Sequence, residues 1–523
     1  MFNKNYRIIG IVAAVLLISA GVAMADRQTG MVKIGFLDLS EEGSPSVYQP
    51  NFNMYQGFQI SLEKYNYRFD NGTCVNANFK NITLKNRNLS LGVTRARYYG
   101  INLNYNQYRR IYNSSSSANT ERETFGGNAW LQPHRMIRLY GGIGSVGKKG
   151  SATNLYNDGP TILTNKVDYS QKYFNSGLRF THSFYNVQAD YRSTSFDDGI
   201  DMANDRNSTR TRINAVIRLP FYQKVILNGG FQHYTSKVKR RFDTLSANTA
   251  WGGMKYNYGS GYSLKYNFIW DRARRTGDLA ATDNITQGLF ISKVWPRRAG
   301  ITLGYRHKGN DMVPDELSSN GYYLSTWAKI TAQLTTRANY GSENKAVNEG
   351  QTLTGDRDYS RYRVSLKYDL PREYGNVRLI RENRKIENNE IGSESSYGKW
   401  SLTGYLNNSR FGELDYQYSY LKGEYDNSGG LFEFSDNILT GNYLSPRCHE
   451  FQLGAGGRYV RSRQDVDIES SRIYFKTLYS VTHAHKLEIT YTIDNFDNLA
   501  DMSRPYAEYY TANIIEVSYS YKF

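Results

Sequence analysis

The 523-residue chain has little cysteine, little proline and few long apolar runs. Its only cysteines are Cys74 and Cys448. In an oxidising compartment they can form one disulfide, and two separate thiols are an equal alternative. The sequence contains no C-x-x-C-H motif, which excludes covalent attachment of a c-type haem to this chain. The 10 prolines are few for this length, as long hydrogen-bonded strands require.

Beyond residue 25, no stretch approaches 18 consecutive apolar residues, so we expect no transmembrane helix. A membrane location would then require a closed β-barrel, which also pairs every backbone polar group away from water. The sequence also lacks G-x-S-x-G, H-E-x-x-H and P-loop motifs. We therefore expect no enzyme, and we assign no catalytic, metal or cofactor-binding residue.

The one long apolar run covers residues 8–20 and follows two basic residues. An A-x-A cleavage site, Ala23 and Ala25, comes directly after it. This order predicts a cleaved secretory signal peptide over residues 1–25. A membrane anchor is the alternative, but the run is short for spanning a bilayer. The mature protein is therefore expected to leave the cytoplasm.

Aromatic residues and glycine are abundant, with 46 Tyr, 23 Phe and 46 Gly. Aromatic side chains suit strands and membrane interfaces. Several stretches, such as TRTRINAVIRL and RYRVSLKYDL, alternate apolar and polar residues over about ten positions, the length of a tilted strand that crosses a bilayer. The C-terminus alternates in the same way and places Val517, Tyr519, Tyr521 and Phe523 on one side. Such a strand resembles the assembly signal of outer-membrane barrels, which implies the barrel-insertion machinery as a partner.

Short turns recur about every 40 residues, with longer polar stretches between them. We place eleven turns, at 87–89, 131–135, 181–183, 219–223, 258–262, 295–300, 325–329, 370–375, 407–412, 445–449 and 482–486. Short turns on one side and longer loops on the other are typical of bacterial outer-membrane barrels.

The pattern predicts an all-β fold, a transmembrane antiparallel β-barrel of about 24 strands (22–26) over residues 53–523. Short turns would face the periplasm and longer loops the outside. Residues 26–52 show no clear strand pair and are expected to form a periplasmic lead or a small plug. A β-propeller, a β-solenoid and a soluble array of sandwiches are alternatives. A propeller needs four short strands per repeat, where the sequence offers two long ones.

The chain is basic, with a formal charge of +17, and loss of Lys4 and Arg7 with the signal peptide leaves +15. Charges that face lipid cost about 2–4 kcal/mol at the bilayer midplane. Basic residues on the polar side of alternating strands are therefore predicted to face the lumen. They are Arg210, Arg212, Arg218, Arg361, Arg363 and Lys367. They form either a salt-bridged wall without a special partner or a cationic lumen that attracts an anion or an acidic partner.

A barrel of this size is too wide for its own side chains to fill, and 22-stranded transporters carry a plug. A plug domain needs on the order of 100 residues, and the sequence has no segment of that length outside the predicted strands. The filler is therefore expected to be another protein.

The signal peptide, the Tyr- and Arg-rich strands at hairpin spacing, the large strand number without a plug domain and the terminal SYSYKF resemble the MtrB/PioB family of outer-membrane barrels. These barrels sheath a multihaem c-type cytochrome and form an extracellular electron conduit. The resemblance implies a bacterial outer-membrane location, with membrane lipid and periplasmic or extracellular multihaem cytochromes as partners. Haem would belong to the partner, none would be bound by this chain, and no nucleic acid is expected.

A diffusion porin or a substrate-specific channel, possibly anion-preferring, is the alternative function, with inward-folded loops narrowing the pore. Two minor clusters are weighed as metal sites. The first is His483 and His485 with Cys448-His449, which we interpret as polar turns. The second is Asp494, Asp497 and Asp501, which we interpret as a solvated acidic loop.

Overall fold

The structure is a computed structural model that describes twelve stretches of the chain. They are residues 28–112, 118–153, 164–219, 224–240, 243–276, 282–312, 315–347, 357–388, 392–427, 430–463, 467–498 and 509–523. The predicted signal peptide and its cleavage site, Ala23 and Ala25, lie outside these residues. Among the described residues, no helix is both long and apolar enough to span a membrane.

The described chain forms one sheet of 26 strands. The strands are β1 (Gln28–Gly43), β2 (Gly57–Arg68), β3 (Thr73–Lys80), β4 (Asn88–Arg95), β5 (Tyr99–Ile111), β6 (Asn119–His134), β7 (Ile137–Thr153), β8 (Thr164–Thr181), β9 (Tyr185–Asp198), β10 (Arg206–Arg218), β11 (Val225–Val238), β12 (Thr244–Gly259), β13 (Tyr262–Arg275), β14 (Thr282–Trp295), β15 (Ala299–Met312), β16 (Asp315–Lys329), β17 (Leu334–Val347), β18 (Arg357–Asp369), β19 (Gly375–Asn388), β20 (Ser393–Asn408), β21 (Gly412–Asn427), β22 (Gly430–Leu444), β23 (Phe451–Arg463), β24 (Ile468–Ser480), β25 (His485–Asn498) and β26 (Tyr509–Lys522).

Each strand pairs antiparallel with the next one in sequence, and β26 pairs with β1. The β26–β1 seam runs from Met31↔Lys522 to Gly43↔Tyr510. The sheet is therefore a closed barrel, which confirms the predicted fold class, and its strand number lies at the upper end of the predicted range.

Connections at one end of the barrel are turns of two to six residues, and those at the other end have two to thirteen. We call these the turn end and the loop end. Nine of the eleven predicted turns overlap a turn-end connection. Two were wrong: residues 87–89 overlap the loop-end connection at 81–87, and residues 325–329 belong to β16, whose turn follows at 330–333.

Residues 28–43, expected in a lead or plug, instead form β1, so the barrel begins well before residue 53. Residues 44–56, which we call the latch segment, form two short 3-10 helices, Pro45–Val47 and Gln49–Asn51, followed by a turn at 52–53 and three residues without regular structure before β2.

Parts of the sequence that were predicted as long loops form strand in the structure. The strand β8, for example, is 18 residues long. An apolar band about 25 Å tall needs only 9–11 tilted residues. The strands therefore continue past the band, and the loops are shorter than expected.

Turn chemistry at the turn end is clearest between β12 and β13. Ser260 and Gly261 are its two central residues, with φ of 48° and 83°. Positive φ at both positions is typical of the type I′ hairpin turn. A side chain at Gly261 would also collide with the Val294 carbonyl oxygen, 1.9 Å from the position of its Cβ.

Candidate functional site

The two faces of the wall differ in composition. On β10 the side chains of Ile213 and Ile217 are exposed and apolar, whereas Arg210 and Arg212 lie on the opposite face. On β18, Tyr362, Val364, Leu366 and Tyr368 form the exposed apolar face. Directly paired residues share a face, so the strand registers connect these faces around the barrel. One face is apolar and the other polar.

The polar face is assigned as the inner one because charges that face lipid cost about 2–4 kcal/mol at the bilayer midplane, and the latch segment is held partly on this face. Tyr48 stacks on the buried Tyr510 of the polar face, with ring centroids 5.5 Å apart. Asn51 accepts a hydrogen bond from Arg472 of β24 at 2.8 Å, and Asn53 accepts one from the Arg109 amide of β5 at 3.1 Å. Arg109 lies beyond the end of the β4–β5 pairing at Asn106, and its guanidinium donates to the carbonyl oxygens of Phe52 and Met54 at 2.9 and 3.1 Å. The segment therefore runs from the polar face of β24 and β26 to the free edge of β5.

The register places the six predicted basic residues on this inner face. Arg361 and Arg363 approach Glu382 at 2.8 and 3.8 Å, and Lys367 approaches Asp369 at 2.7 Å. The guanidinium of Arg212 lies 4.9 Å from the centroid of the Trp251 ring.

Arg210 borders two cavities on the polar side, and Arg218 is exposed at the end of β10. Some of the six are thus salt-bridged and others are not. Among the described residues, the salt-bridged wall is thus seen for Arg361, Arg363 and Lys367, and attraction of an anion or an acidic partner by the others stays a prediction.

Basic residues on the inner face also face one another directly. Seven cross-strand pairs of this kind are Arg122–Lys148, Arg138–Arg179, Arg192–Arg210, Lys255–Lys265, Arg361–Arg384, Lys367–Arg378 and Arg458–Arg472. Like charges directly opposite each other in a sheet are destabilising. A wall built in this way lowers the electrostatic free energy of any anion that enters the lumen.

One polar cluster fixes the latch segment to the wall. Asp494 of β25 is 0% exposed and accepts hydrogen bonds from Arg472 at 2.6 and 2.7 Å, from Asn51 at 3.0 Å and from Tyr48 at 3.2 Å. The expected solvated loop at Asp494 was therefore wrong. The carboxylate is buried because a guanidinium and two neutral donors satisfy it.

Burial of the Tyr48 hydroxyl, together with the nearby Asp494 charge, raises the pKa of Tyr48 to about 12. Leu37, Ala512 and Ile514 complete an apolar patch under Tyr48. Sequence reasoning missed this cluster. Arg472 and Asp494 are direct partners in the β24–β25 register, which the sequence alone does not give.

The lumen is wide compared with the chain available to fill it. With strands about 4.8 Å apart and tilted by about 40°, a circular barrel of 26 strands is about 50 Å across between backbones. The longest connection between described strands is the 13-residue latch segment. A loop of that length reaches at most about 22 Å out and back.

The C-terminal strand closes the barrel. Val517, Tyr519 and Tyr521 point from its exposed outer face. The backbones of Phe523 and Gly30 exchange two hydrogen bonds of 3.0 Å. The role of these four C-terminal side chains as an assembly signal stays a prediction.

The cysteine and histidine candidates are separate from the cluster at Asp494. Cys74 and Cys448 are free thiols, so the disulfide alternative is not realised. His485 hydrogen-bonds to Tyr519 and stacks on its ring. Within the described stretches, no group of three or more His, Cys, Asp or Glu residues is arranged to hold a metal ion.

A closed antiparallel barrel with an apolar outer face and a polar inner face has the architecture of a large transmembrane β-barrel. Neither a protein-family model nor a curated protein sequence matches the chain.

Solved structures similar to it include a mutant of PfeA, the ferric enterobactin receptor of Pseudomonas aeruginosa. It has 10% identity and a TM-score of 0.51, covering 95% of this chain and 81% of that one. BauA, the ferric preacinetobactin receptor of Acinetobacter baumannii, has 11% identity and a TM-score of 0.51, covering 95% and 80%. At such identities the likeness concerns the fold. Together with the apolar outer face, it points to a bacterial outer membrane.

Proposed function

We propose that this chain is an outer-membrane barrel that encloses another protein in its lumen. In line with the resemblance to the MtrB/PioB family, that protein is a multihaem c-type cytochrome. The barrel insulates it from lipid and holds it across the membrane, so that electrons pass from haem to haem. The haem supplies the redox chemistry, and this chain supplies position.

The observation that carries the proposal is the mismatch between the width of the lumen and the chain available to close it. A circular barrel about 50 Å across between backbones leaves room inside its inward side chains for a small folded protein, since a 100-residue domain has a radius of gyration of about 13 Å. No connection between described strands is long enough to cross it. An unfilled barrel of this width would leave the membrane open to solutes, which a tightly fitting partner prevents.

The charge of the inner wall supports a partner with an acidic surface. Anionic groups nearby would offset the repulsion in those opposed basic pairs that have no carboxylate partner among the described residues of the wall. Haem propionates and carboxylates on a cytochrome surface are such groups, and each forms strong charge-assisted hydrogen bonds with guanidinium.

An anion-preferring channel is the second candidate, and the same opposed basic pairs favour it. A basic lumen concentrates small anions as well as acidic proteins. The two functions differ in whether the lumen of the native barrel is occupied.

A pull-down separates the two functions. The tagged chain is extracted from its native outer membrane in mild detergent, and the eluate is run on a gel stained for haem. We expect a stoichiometric multihaem band. A colourless barrel that conducts ions in a planar bilayer without removal of any partner would overturn the sheath and leave the channel.

Charge reversal on the two faces supplies a matched control. Arg361→Glu with Arg363→Glu reverses two inner charges, and Lys172→Glu with Lys237→Glu reverses two exposed charges on the other face. Both variants change the net charge by the same amount. We expect only the inner variant to lose the haem band, with folding of both checked by the gel shift on heating.

A further inference from the structure

Among the opposed basic pairs, Arg192 and Arg210 differ from the others in their neighbouring groups. They are direct partners on the inner faces of β9 and β10, near the middle of the paired length. Among the described residues, no carboxylate lies within salt-bridge distance of either guanidinium. The next row of the same face contains Asp190, but Tyr140 and Gln188 both donate hydrogen bonds to it. Asp190 thus lies beside the pair but forms no ion pair with either guanidinium.

Not all N–H groups of this pair have a hydrogen-bond acceptor. The Nε atom of Arg210 is buried and has no hydrogen-bond partner. The guanidinium of Arg192 lies 4.8 Å from the centroid of the Tyr173 ring, which fixes its plane. A buried donor without an acceptor costs about 1–3 kcal/mol, so an acceptor at this position would be stabilising.

Two cavities meet at the pair, and both are lined by Arg192 and Arg210. Their volumes are about 320 and 400 Å³. Asp190 also lines the second cavity, whereas none of the described carboxylates lines the first, which is therefore the better anion site. A water molecule occupies about 30 Å³ in the liquid, so either cavity has room for an anion with part of its hydration shell. Arg206 lines the first cavity and adds a third guanidinium at its edge.

Other opposed pairs lack this combination. Arg361 has Glu382 as an ion-pair partner, and Lys367 has Asp369. Lys255 and Lys265 have no acidic partner among the described residues, but both are exposed, so water screens them. This lysine pair provides a control of equal charge.

We propose that Arg192 and Arg210, with Arg206 at the edge, form a binding site for an oxyanion, a phosphate or a carboxylate, about midway along the inner wall of the lumen. Two guanidinium groups present forked donors that match the oxygen spacing of these anions. The site adds a ligand class to the proposed function. It depends on that function only because the wall must line a lumen. The anion is either a free solute or a carboxylate carried by the enclosed protein.

Equilibrium dialysis of the purified full-length barrel, freed of any partner, against radiolabelled inorganic phosphate tests the site. We expect saturable binding that weakens at least tenfold in Arg210→Gln and, separately, in Arg192→Gln. We expect less than a twofold change in Lys265→Gln. The gel shift on heating checks folding. Because two arginine variants are measured, the test remains valid if one of them does not fold.

The source of the anion follows from the same assay on the barrel as isolated from its membrane. Phosphate binding by the native barrel equal to that of the stripped barrel assigns the site to a free solute. Binding that appears only after stripping assigns it to a group of the enclosed protein. The proposal is overturned if the stripped barrel shows no saturable binding, or if Lys265→Gln weakens binding as much as Arg210→Gln. Neither result affects the pull-down, so the enclosed-partner proposal stands or falls separately.

Discussion

Replacing Asp494 with alanine tests how the latch segment is held. The carboxylate is fully buried, and its two oxygens accept four hydrogen bonds, two of them from Arg472. Alanine removes all four and leaves the guanidinium without its counter-charge. We expect the latch segment to detach from β25 and the barrel to lose stability.

The size of the loss follows from burial. Removing one partner of a buried ion pair costs about 3–5 kcal/mol, because the other charge stays desolvated. The side chain of Arg472 is 31% exposed, so water partly compensates it, and we expect about 3 kcal/mol. Asp494→Asn keeps the shape but not the charge, and a lost hydrogen bond to a charged group costs about 1.5–3 kcal/mol.

The chain contains a matched control on the same two strands. Lys476 of β24 and Glu488 of β25 form an ion pair at 2.8 Å, with both side chains 30% exposed. Glu488→Ala should cost at most about 1 kcal/mol. Urea unfolding of the barrel in lipid vesicles, followed by tryptophan fluorescence, gives each free energy. A loss for Asp494→Ala no larger than that for Glu488→Ala would refute the account of the latch.

Three further results are expected. Deletion of Phe523, whose backbone completes the seam, should reduce the folded barrel in the outer membrane, measured by the gel shift on heating, whereas Lys522→Ala should not. The fold favours the neutral phenol of Tyr48, whose pKa is about 12 against about 10 when unfolded, so this stabilisation is complete below pH 10 and decreases from pH 10 to 12. Unfolding midpoints of the wild type and Tyr48→Phe should thus keep a constant difference up to pH 9.5 and then shift in favour of the phenylalanine variant; a constant difference up to pH 12 would contradict this. Gly261→Ala should cost about 1–3 kcal/mol in urea unfolding, because φ is positive there and a β14 carbonyl oxygen blocks the new methyl group, and an unchanged midpoint would contradict it.

Alternation along single strands was enough to predict the barrel and its two faces. Arg361 and Arg363 could be assigned to the polar face because their strand neighbours Tyr362 and Val364 are apolar. Alternation with a period of two is a property of a single strand, so it can be recognised without knowing the partner strand.

Features that depend on the partner strand could not be predicted from the sequence. In β1, Leu37 and Leu39 are apolar on the inner face because the latch segment covers them, which hides the alternation. Asp494 sits among polar residues typical of a loop, and only its pairing with Arg472 explains its burial. The turn at 330–333 contains neither glycine nor proline, so no local signal placed it.

The seam between β1 and β26 has a kinetic consequence. It joins residues separated by almost the whole chain, such as Met31 and Lys522, so it forms only after the last strand has been synthesised. Contacts of such long sequence separation are slow to form. A protein too wide for either mouth of the finished barrel must therefore be present while the seam is still open. Closing the wall and loading the lumen then become one step, and the order in which the two chains reach the membrane decides whether the barrel is filled.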